Sequence, residues 1–267
     1  MAAPALQAQL DAATAYESLF VPALFAQWAP KVADAAQVGP GQRVLEVASG
    51  TGVLAREAAT RVGPGGRVAG LDANPGMVEL ARRLAPSVDW HEGVAESLPF
   101  PDGSFDRVVS QFGLMFFTDR RQALREMLRV LVPGGRLAVA VWGTLDDMPA
   151  YAAEVRLLER TAGRAAADAV RAPFVLGDRA ALAALFSDAG VAGAEVTTHR
   201  GTARFPGIRV MVEADLRGWL PLFGIVLGEE QIGQILEEAE RDLATYMESA
   251  GSAAFPVSAH IVTAVRR

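Results

Sequence analysis

The sequence predicts an α/β protein built on a doubly wound, mostly parallel sheet with helices on both faces. Three observations lead there. Short apolar runs alternate with helical stretches through residues 43–142, and strands buried on both faces read as continuous apolar runs. The first run, Val-Leu-Glu-Val at 44–47, passes straight into a turn of small residues, Ala48 to Gly52. The second run ends on an acid, Asp72. A strand, a glycine turn, a helix and an acid on the next strand let an adenosine-containing ligand lie against bare backbone while a carboxylate holds its ribose.

The elements follow in order. Tyr16, Leu19, Phe20, Leu24, Trp28 and Val32 fall at helical spacing within 11–36, and Pro22 is expected to kink or split that segment. Strands are predicted over 43–47, 67–71, 88–92, 105–111 and 136–142, and helices over 53–61, 75–84 and 120–131. Asn74 is placed to cap the second of these helices, with Pro75 in its first position. Gly63 to Gly66 and Pro133 to Gly135 read as helix stops.

After Trp142 the rhythm changes. Helical stretches near 150–163 and 178–189 precede a strand near 194–205. Residues 208–250 are helical again with a break at 218–228, and 258–265 read as a last strand. An insertion between two late strands is a natural lid over strand ends. With no repeat or low-complexity linker, 1–267 is expected to be one domain: cap helices in 1–36, a cofactor-binding half in 37–143, and a substrate half in 144–267 with its lid at about 206–252.

Composition narrows the chemistry. A net charge of −6 over 267 residues gives no electrostatic footprint for nucleic acid or an anionic membrane. No apolar run approaches the length of a spanning helix, and the N-terminus has no signal-peptide pattern. Cysteine is absent, which removes disulfides, thiolate metal sites and thiol nucleophiles, and is compatible with a cytoplasmic location. No metal is expected. Lys31 is the only lysine among 25 basic residues, which speaks against Schiff-base chemistry.

Gly50-Thr-Gly52-Val-Leu-Ala55 alone also fits a dinucleotide-binding turn. Five linked segments decide the comparison: Val-Leu-Glu-Val-Ala-Ser-Gly-Thr-Gly (44–52), Gly-Leu-Asp-Ala-Asn-Pro-Gly-Met (70–77), Glu-Gly-Val-Ala-Glu-Ser-Leu-Pro-Phe (92–100), Ser-Phe-Asp-Arg-Val-Val-Ser (104–110) and Arg-Val-Leu-Val-Pro-Gly-Gly-Arg-Leu (129–137). Together they resemble the class I S-adenosylmethionine-dependent methyltransferases, in particular the small-molecule group of the ubiquinone/menaquinone-biosynthesis type. The resemblance covers about residues 37–143 firmly and the remainder in outline.

It implies a Rossmann-like, seven-stranded sheet with a helical lid insertion, S-adenosylmethionine as cofactor and S-adenosylhomocysteine as product. Glu46 and the turn Ala48, Ser49, Gly50 and Gly52 would face the amino-acid end of the cofactor, and Asp72 would accept from both ribose hydroxyls. Ala73 and Met77 would line the adenine, Val94, Ala95 and Glu96 would touch its edge, and Gln111 would lie beside the methionine moiety. Two departures stand out. Ala48 replaces the family's first turn glycine, and Val94 replaces a common acidic residue.

Methyl transfer from a sulfonium requires alignment more than a covalent nucleophile. Base candidates are His91, His199, His260 and Asp146, each with a structural reading beside the catalytic one. Phe112, Met115, Phe116 and Trp142 follow strand ends and are candidate substrate lining, with core packing as the alternative. Tyr16, Phe20 and Trp28 on the first helix are candidate lids over cofactor and substrate, with stapling of that helix to the sheet as the alternative. An aromatic or lipid-like small molecule methylated on O, N or C fits this lining. A nicotinamide-dependent oxidoreductase and a non-catalytic cofactor-binding protein are the alternatives. A monomer or a homodimer is expected, with no nucleic-acid or membrane partner.

Overall fold

Pro22 lies within a ten-residue π-helical stretch, Tyr16–Phe25. Wide turns of this kind absorb a ring that cannot join the ordinary helical ladder. The stretch continues from helix α1 (Ala2–Ala15) and leads through a 3-10 turn into α2 (Ala29–Ala35). The structure, a computed structural model, describes residues 2–249 and 251–267.

The predicted alternation follows: β1 (Arg43–Val47), α3 (Val53–Val62), β2 (Arg67–Asp72), α4 (Pro75–Leu84), β3 (Asp89–Glu92), β4 (Phe105–Gln111), α5 (Arg120–Val130) and β5 (Leu131–Trp142). Then come α6 (Pro149–Thr161), α7 (Arg164–Arg171), α8 (Arg179–Asp188), β6 (Glu195–Phe205) and α9 (Ile208–Ala214). A π-helical turn (Asp215–Trp219), a 3-10 turn (Leu220–Phe223), α10 (Glu229–Asp242) and β7 (Ala253–Val265) complete the chain. No described helix is long and apolar enough to cross a membrane.

The strands form one seven-stranded sheet in the order β3-β2-β1-β4-β5-β7-β6. Pairings β1–β2, β1–β4, β2–β3 and β4–β5 are parallel. The chain winds outward from β1 in both directions, so β1 and β4 flank a topological switch point, where doubly wound sheets place ligands. Helix starts are capped as the sequence indicates: Asn74 Oδ1 accepts from the Gly76 and Met77 N–H groups at 2.9 and 3.2 Å. Asp119 caps α5 in the same way. Trp28, Leu45, Leu54, Leu71, Leu124 and Met127 are fully buried, and each such side chain stabilises the fold by roughly 1.5–3 kcal/mol.

Three boundaries differ from expectation. Pro133 to Gly135, read as a helix stop, lie inside β5. Pairing with β4 jumps from Phe105↔Leu131 to Arg107↔Arg136 there, so the glycines make a bulge, with Gly134 left-handed at φ 79°. Helix α7 was not foreseen; it is only eight residues long, and its buried face is made of three alanines and one valine. The last strand starts five residues earlier than expected, at Ala253.

The chain falls into two compact units: residues through Val141 with Asp178–His199 and His260–Arg267, and Trp142–Gly177 with Arg200–Ala259. In the second, Tyr151 packs on Phe174 and Phe255, and Trp219 Nε1 donates to the Ala169 carbonyl at 2.8 Å. Glu154 of α6 is fully buried, and Asp215 beside it is buried as well. Burial, then the charge of Asp215, hold the Glu154 carboxyl well above its ordinary range. Burial also pushes Asp215 up to about 7. Both shifts favour protonation of this pair.

Carboxyls raised in the folded state make folding most favourable at pH below the unfolded value, ~4. That stability is lost as pH climbs through the folded values. Glu154→Gln keeps a donor toward Asp215 and deletes one titration. We expect it to flatten the fall in melting temperature between about pH 5 and about pH 8. Parallel wild-type and variant curves in a pH series of thermal melts would contradict this reading of the pair.

Candidate functional site

The site grows from the turn after β1. Ala48, Gly50 and Gly52 are left-handed (φ 56°, 54° and 86°). This path lays the turn on β2: the Ser49 N–H donates to the Leu71 carbonyl at 3.0 Å, and the Gly50 N–H to Asp72 Oδ2 at 2.7 Å. The Asn74 N–H donates to Asp72 Oδ1 at 2.9 Å. Each carboxylate oxygen can accept more than one bond, so Asp72 is oriented by backbone while keeping acceptor capacity. Burial raises its pKa, and the Asn74, Gly50 and Ala73 N–H groups oppose that rise.

Gly52 must be glycine on two counts. Its φ is left-handed, and a Cβ there would stand 2.2 Å from the Trp90 ring. A Cβ on Gly70 would also meet that ring at 2.2 Å. The Trp90 indole therefore lies across both glycines, fixed by Nε1 donating to the Ala85 carbonyl at 2.9 Å.

Glu46 is 1 % exposed, and its Oε2 accepts from the Ala55 N–H at 2.7 Å, at the first turn of α3. Burial raises its pKa strongly; the Ala55 bond lowers it, nearby Asp72 raises it and Arg56 lowers it. One oxygen of the expected cofactor ligand is thus committed to the α3 N-terminus.

Tyr16 stands over the turn. A Cβ on Gly50 would lie 3.9 Å from its ring. The ring stacks on Phe25 at 5.3 Å and tilts toward Phe20 at 6.1 Å. Phe112 continues the group, 5.7 Å from Phe25 and edge-on to Trp28 at 5.9 Å. Burial first, then the charges of Asp72, Glu46 and Glu17, push the Tyr16 hydroxyl up so far that it stays a phenol. Gln111 Nε2 donates to the Phe25 carbonyl at 3.3 Å, while its buried Oε1 and the buried hydroxyls of Ser49 and Ser110 have no hydrogen-bond partner.

The structure thus gathers Tyr16, Phe20, Ala48, Ser49, Gly50, Gly52, Asp72, Gln111 and Phe112 within the first unit. Ala73 is exposed and Met77 half-buried beside it on α4. Val94 is exposed, Ala95 buried, and Glu96 Oε1 accepts from the Thr118 and Asp119 N–H groups at 2.9 and 3.2 Å. Met115 is in the core, whereas Phe116 is 47 % exposed. Trp142, buried at the end of β5, and exposed Asp146 belong to the second unit.

The three histidines are not gathered at one point. His91, on edge strand β3, stands 2.9 Å from Asp89 and edge-on to Phe100. His199, on the opposite edge strand β6, lies 3.1 Å from the Thr197 hydroxyl, and burial and then the charge of Lys31 lower its pKa. His260 is buried in β7 with Nδ1 2.9 Å from the Thr198 hydroxyl.

Sequence reasoning missed Glu17, Phe25, Thr51, Arg56 and Trp90. Thr51 lies inside the motif but was read as spacing. The partners of Trp90 and Glu17 are distant in sequence, and no local pattern marks them.

A tight contact underlies the turn. Ala48 and Phe112 (φ 57°) are both left-handed without being glycine. A Cβ on Gly113 would lie 2.5 Å from the Ala48 Cβ. Gly113→Ala is expected to destabilise the protein by about 1–3 kcal/mol. Adding Ala48→Gly should recover most of that loss, because the clash needs both methyl groups. Denaturant unfolding of the two single variants and the double variant measures this; additive losses would show that the two positions do not compete for space.

With the geometry in place, comparisons fix the relationship. Residues 45–139 match the model of the family described as "Methyltransferase domain". The ubiquinone/menaquinone biosynthesis C-methyltransferase of Ectopseudomonas mendocina is 48% identical over 108 residues, 38% of this chain and 42% of that protein. The demethylmenaquinone methyltransferase of Renibacterium salmoninarum is 45% identical over 114 residues, 43% of this chain and 47% of that protein. The chain thus spans less than half the length of these curated relatives. Among solved structures, the YcgJ protein of Bacillus subtilis superimposes with TM-score 0.57 at 21% identity, covering 90% of this chain and 98% of that one. A phosphoethanolamine N-methyltransferase of Haemonchus contortus, solved with S-adenosyl-L-methionine, gives TM-score 0.58 at 17% identity, covering 95% and 56%. At these identities the structural likeness establishes the fold. Residues 45–139 thus match a methyltransferase-domain model, they lie on a Rossmann-like seven-stranded sheet, and the first half of the chain is similar to methyltransferases of quinone biosynthesis.

Proposed function

We propose that the protein is an S-adenosylmethionine-dependent methyltransferase acting on a small, largely apolar acceptor. The observation that carries this reading is the turn Ala48–Gly52 pinned to Asp72 at the β1/β4 switch point. The site suits that cofactor in three respects. Asp72 is pre-oriented with acceptor capacity left for a ribose diol. Gln111 Oε1 and Ser49 Oγ are buried acceptors awaiting donors. Glu17, Glu46 and Asp72 all bear electrostatically on Tyr16, a setting that favours a cationic ligand.

Bound S-adenosylmethionine supplies a methyl group on a positively charged sulfur and leaves as S-adenosylhomocysteine. The chain's part is alignment and exclusion of water. Asp72 holds the ribose end, the turn receives the amino-acid end, and the rings of Tyr16, Phe20, Phe25 and Phe112 form an apolar wall. That wall favours a flat aromatic or lipid-like acceptor. The quinone-pathway relatives are named C-methyltransferases, which supports transfer to a carbon of a quinol-type ring over O or N. Each histidine has a neighbouring acid or hydroxyl, and we assign no general base. The species we envisage is a cytoplasmic monomer or homodimer in which the two compact units act as one methyltransferase domain.

Two binding experiments test the cofactor reading. Asp72→Ala should weaken S-adenosylhomocysteine binding in calorimetry by at least about tenfold, because bonds to a charged acceptor are lost. Unchanged affinity would remove the basis of the proposal. Val94→Asp should tighten binding by about 1 kcal/mol through one added acceptor at the adenine edge; equal affinities would show that the exposed Val94 position is remote from the base. Labelled cofactor with a panel of quinol-type acceptors, read by mass spectrometry, tests the acceptor class.

A further inference from the structure

The N-terminal segment meets the cofactor turn at a polar point, Thr51, whose partners Glu17 and Arg56 lie outside the family motifs. Glu17, on the π-helical stretch next to Tyr16, accepts through Oε2 from the Thr51 hydroxyl and through Oε1 from Arg56 Nη2 at 2.7 Å. Arg56, on α3, returns to the turn: its Nη1 donates to the Thr51 carbonyl at 2.6 Å. The three residues close a ring that uses both the hydroxyl and the carbonyl of Thr51, which is 1 % exposed. The Thr51 peptide is thereby fixed in the middle of the left-handed turn. Elsewhere the segment rests on apolar and backbone contact: a Cβ on Gly76 would strike the Gln9 backbone at 2.5 Å, so α1 lies close on α4.

We infer that Glu17 is a positioning residue for cofactor binding: through Thr51 and Arg56 it clamps the Tyr16-bearing segment onto the turn and sets how long an adenosyl ligand is retained. The inference rests on the methyltransferase reading. Glu17 and Arg56 side chains are 22% and 27% exposed. The pair is partly buried, and its bonds all converge on Thr51 and the helix that follows it, so its geometry serves the turn. Two consequences flow from the clamp. It keeps the Tyr16 ring against Gly50, where it covers the turn. It also couples ligand release to opening of the segment, because Tyr16 cannot leave while its neighbour is bonded to the turn itself.

The test is a double-mutant cycle on Glu17 and Arg56 in the full chain, read by calorimetric binding of S-adenosylhomocysteine. Glu17→Ala should raise Kd about tenfold, since it removes two bonds with charged character. Glu17→Gln, which keeps an acceptor for Thr51, should recover part of that loss. In turnover the cofactor KM should rise by more than kcat falls. Arg56→Met should add little once Glu17 is alanine, the mark of one shared interaction. Wild-type affinity in Glu17→Ala, or fully additive effects of the two substitutions, would overturn the inference.

A melting-temperature loss with unchanged Kd would reduce Glu17 to a structural role and also overturn it. Failure of the methyltransferase reading is separable. Wild-type protein that binds no adenosyl ligand would sink that reading. The clamp itself would still be read from protease cleavage within residues 2–25, which should be faster in Glu17→Ala than in wild type.

Discussion

The hydrogen bond from the Gly50 N–H to Asp72 Oδ2 is the constraint on which the rest of the site depends. It spans two adjacent strands and fixes the height of the turn above the sheet. To deliver that N–H, the chain must reverse its hand at Ala48, Gly50 and Gly52. Once the turn is seated there, Gly52 and Gly70 face the Trp90 ring with no room for a side chain. The same bond prepares Asp72. A buried carboxylate is expensive to ionise, and N–H donors offset that expense before any ligand arrives. A ribose then meets an acceptor already oriented, so little ordering remains to be done on binding.

The strain in the site is concentrated at the switch point. Ala48 follows β1 and Phe112 follows β4, and both adopt a left-handed backbone that costs a residue with a side chain roughly 1–2 kcal/mol. Left-handed geometry at Ala48 continues the turn that reaches Asp72. At Phe112 it turns the ring into the aromatic group with Phe25 and Trp28 while the Phe112 N–H still donates to the Ala140 carbonyl at 2.9 Å. Gly113 completes the arrangement by leaving space for the Ala48 methyl. Strain of this kind persists where surrounding contacts over-determine it, and it collects where ligands bind.

The sheet and its first half were legible because their signals are local. A strand ending in small residues, a cap such as Asn74 and an apolar run such as 105–111 each lie within a few residues. The bulge at 132–135 was not legible: Pro-Gly-Gly is the same punctuation whether a helix stops or a strand bends, and pairing with β4 decides which. Glu46 reads as a ligand from its place in the motif, yet its carboxylate also serves the Ala55 N–H, a contact set by how α3 lands on β1. Met115 and Phe116 are adjacent in one apolar run, and a short 3-10 turn sends the first inward and the second outward. Glu17 and Arg56 lie 39 residues apart and meet only through the fold.

The protein buries carboxyls in two ways, and the difference bears on function. Glu154 and Asp215 have each other and burial acting on them, so protonation is favoured and the pair avoids carrying two negative charges. Glu46 and Asp72 instead meet backbone N–H groups, and Glu46 also feels the charge of Arg56. Donors of that kind favour the charged form without filling every lone pair. Asp72 raises the pKa of Glu46, and the phenol of Tyr16 registers both carboxyls. Such a site is under electrostatic tension that a bound cation relieves, in proportion to how well water is kept out. In the proposed function, a sulfonium bound at this turn would meet that condition. An anionic ligand in the same place would add to the tension and a neutral one would leave it unrelieved, so the charge of the site discriminates among ligands that share an adenosine end.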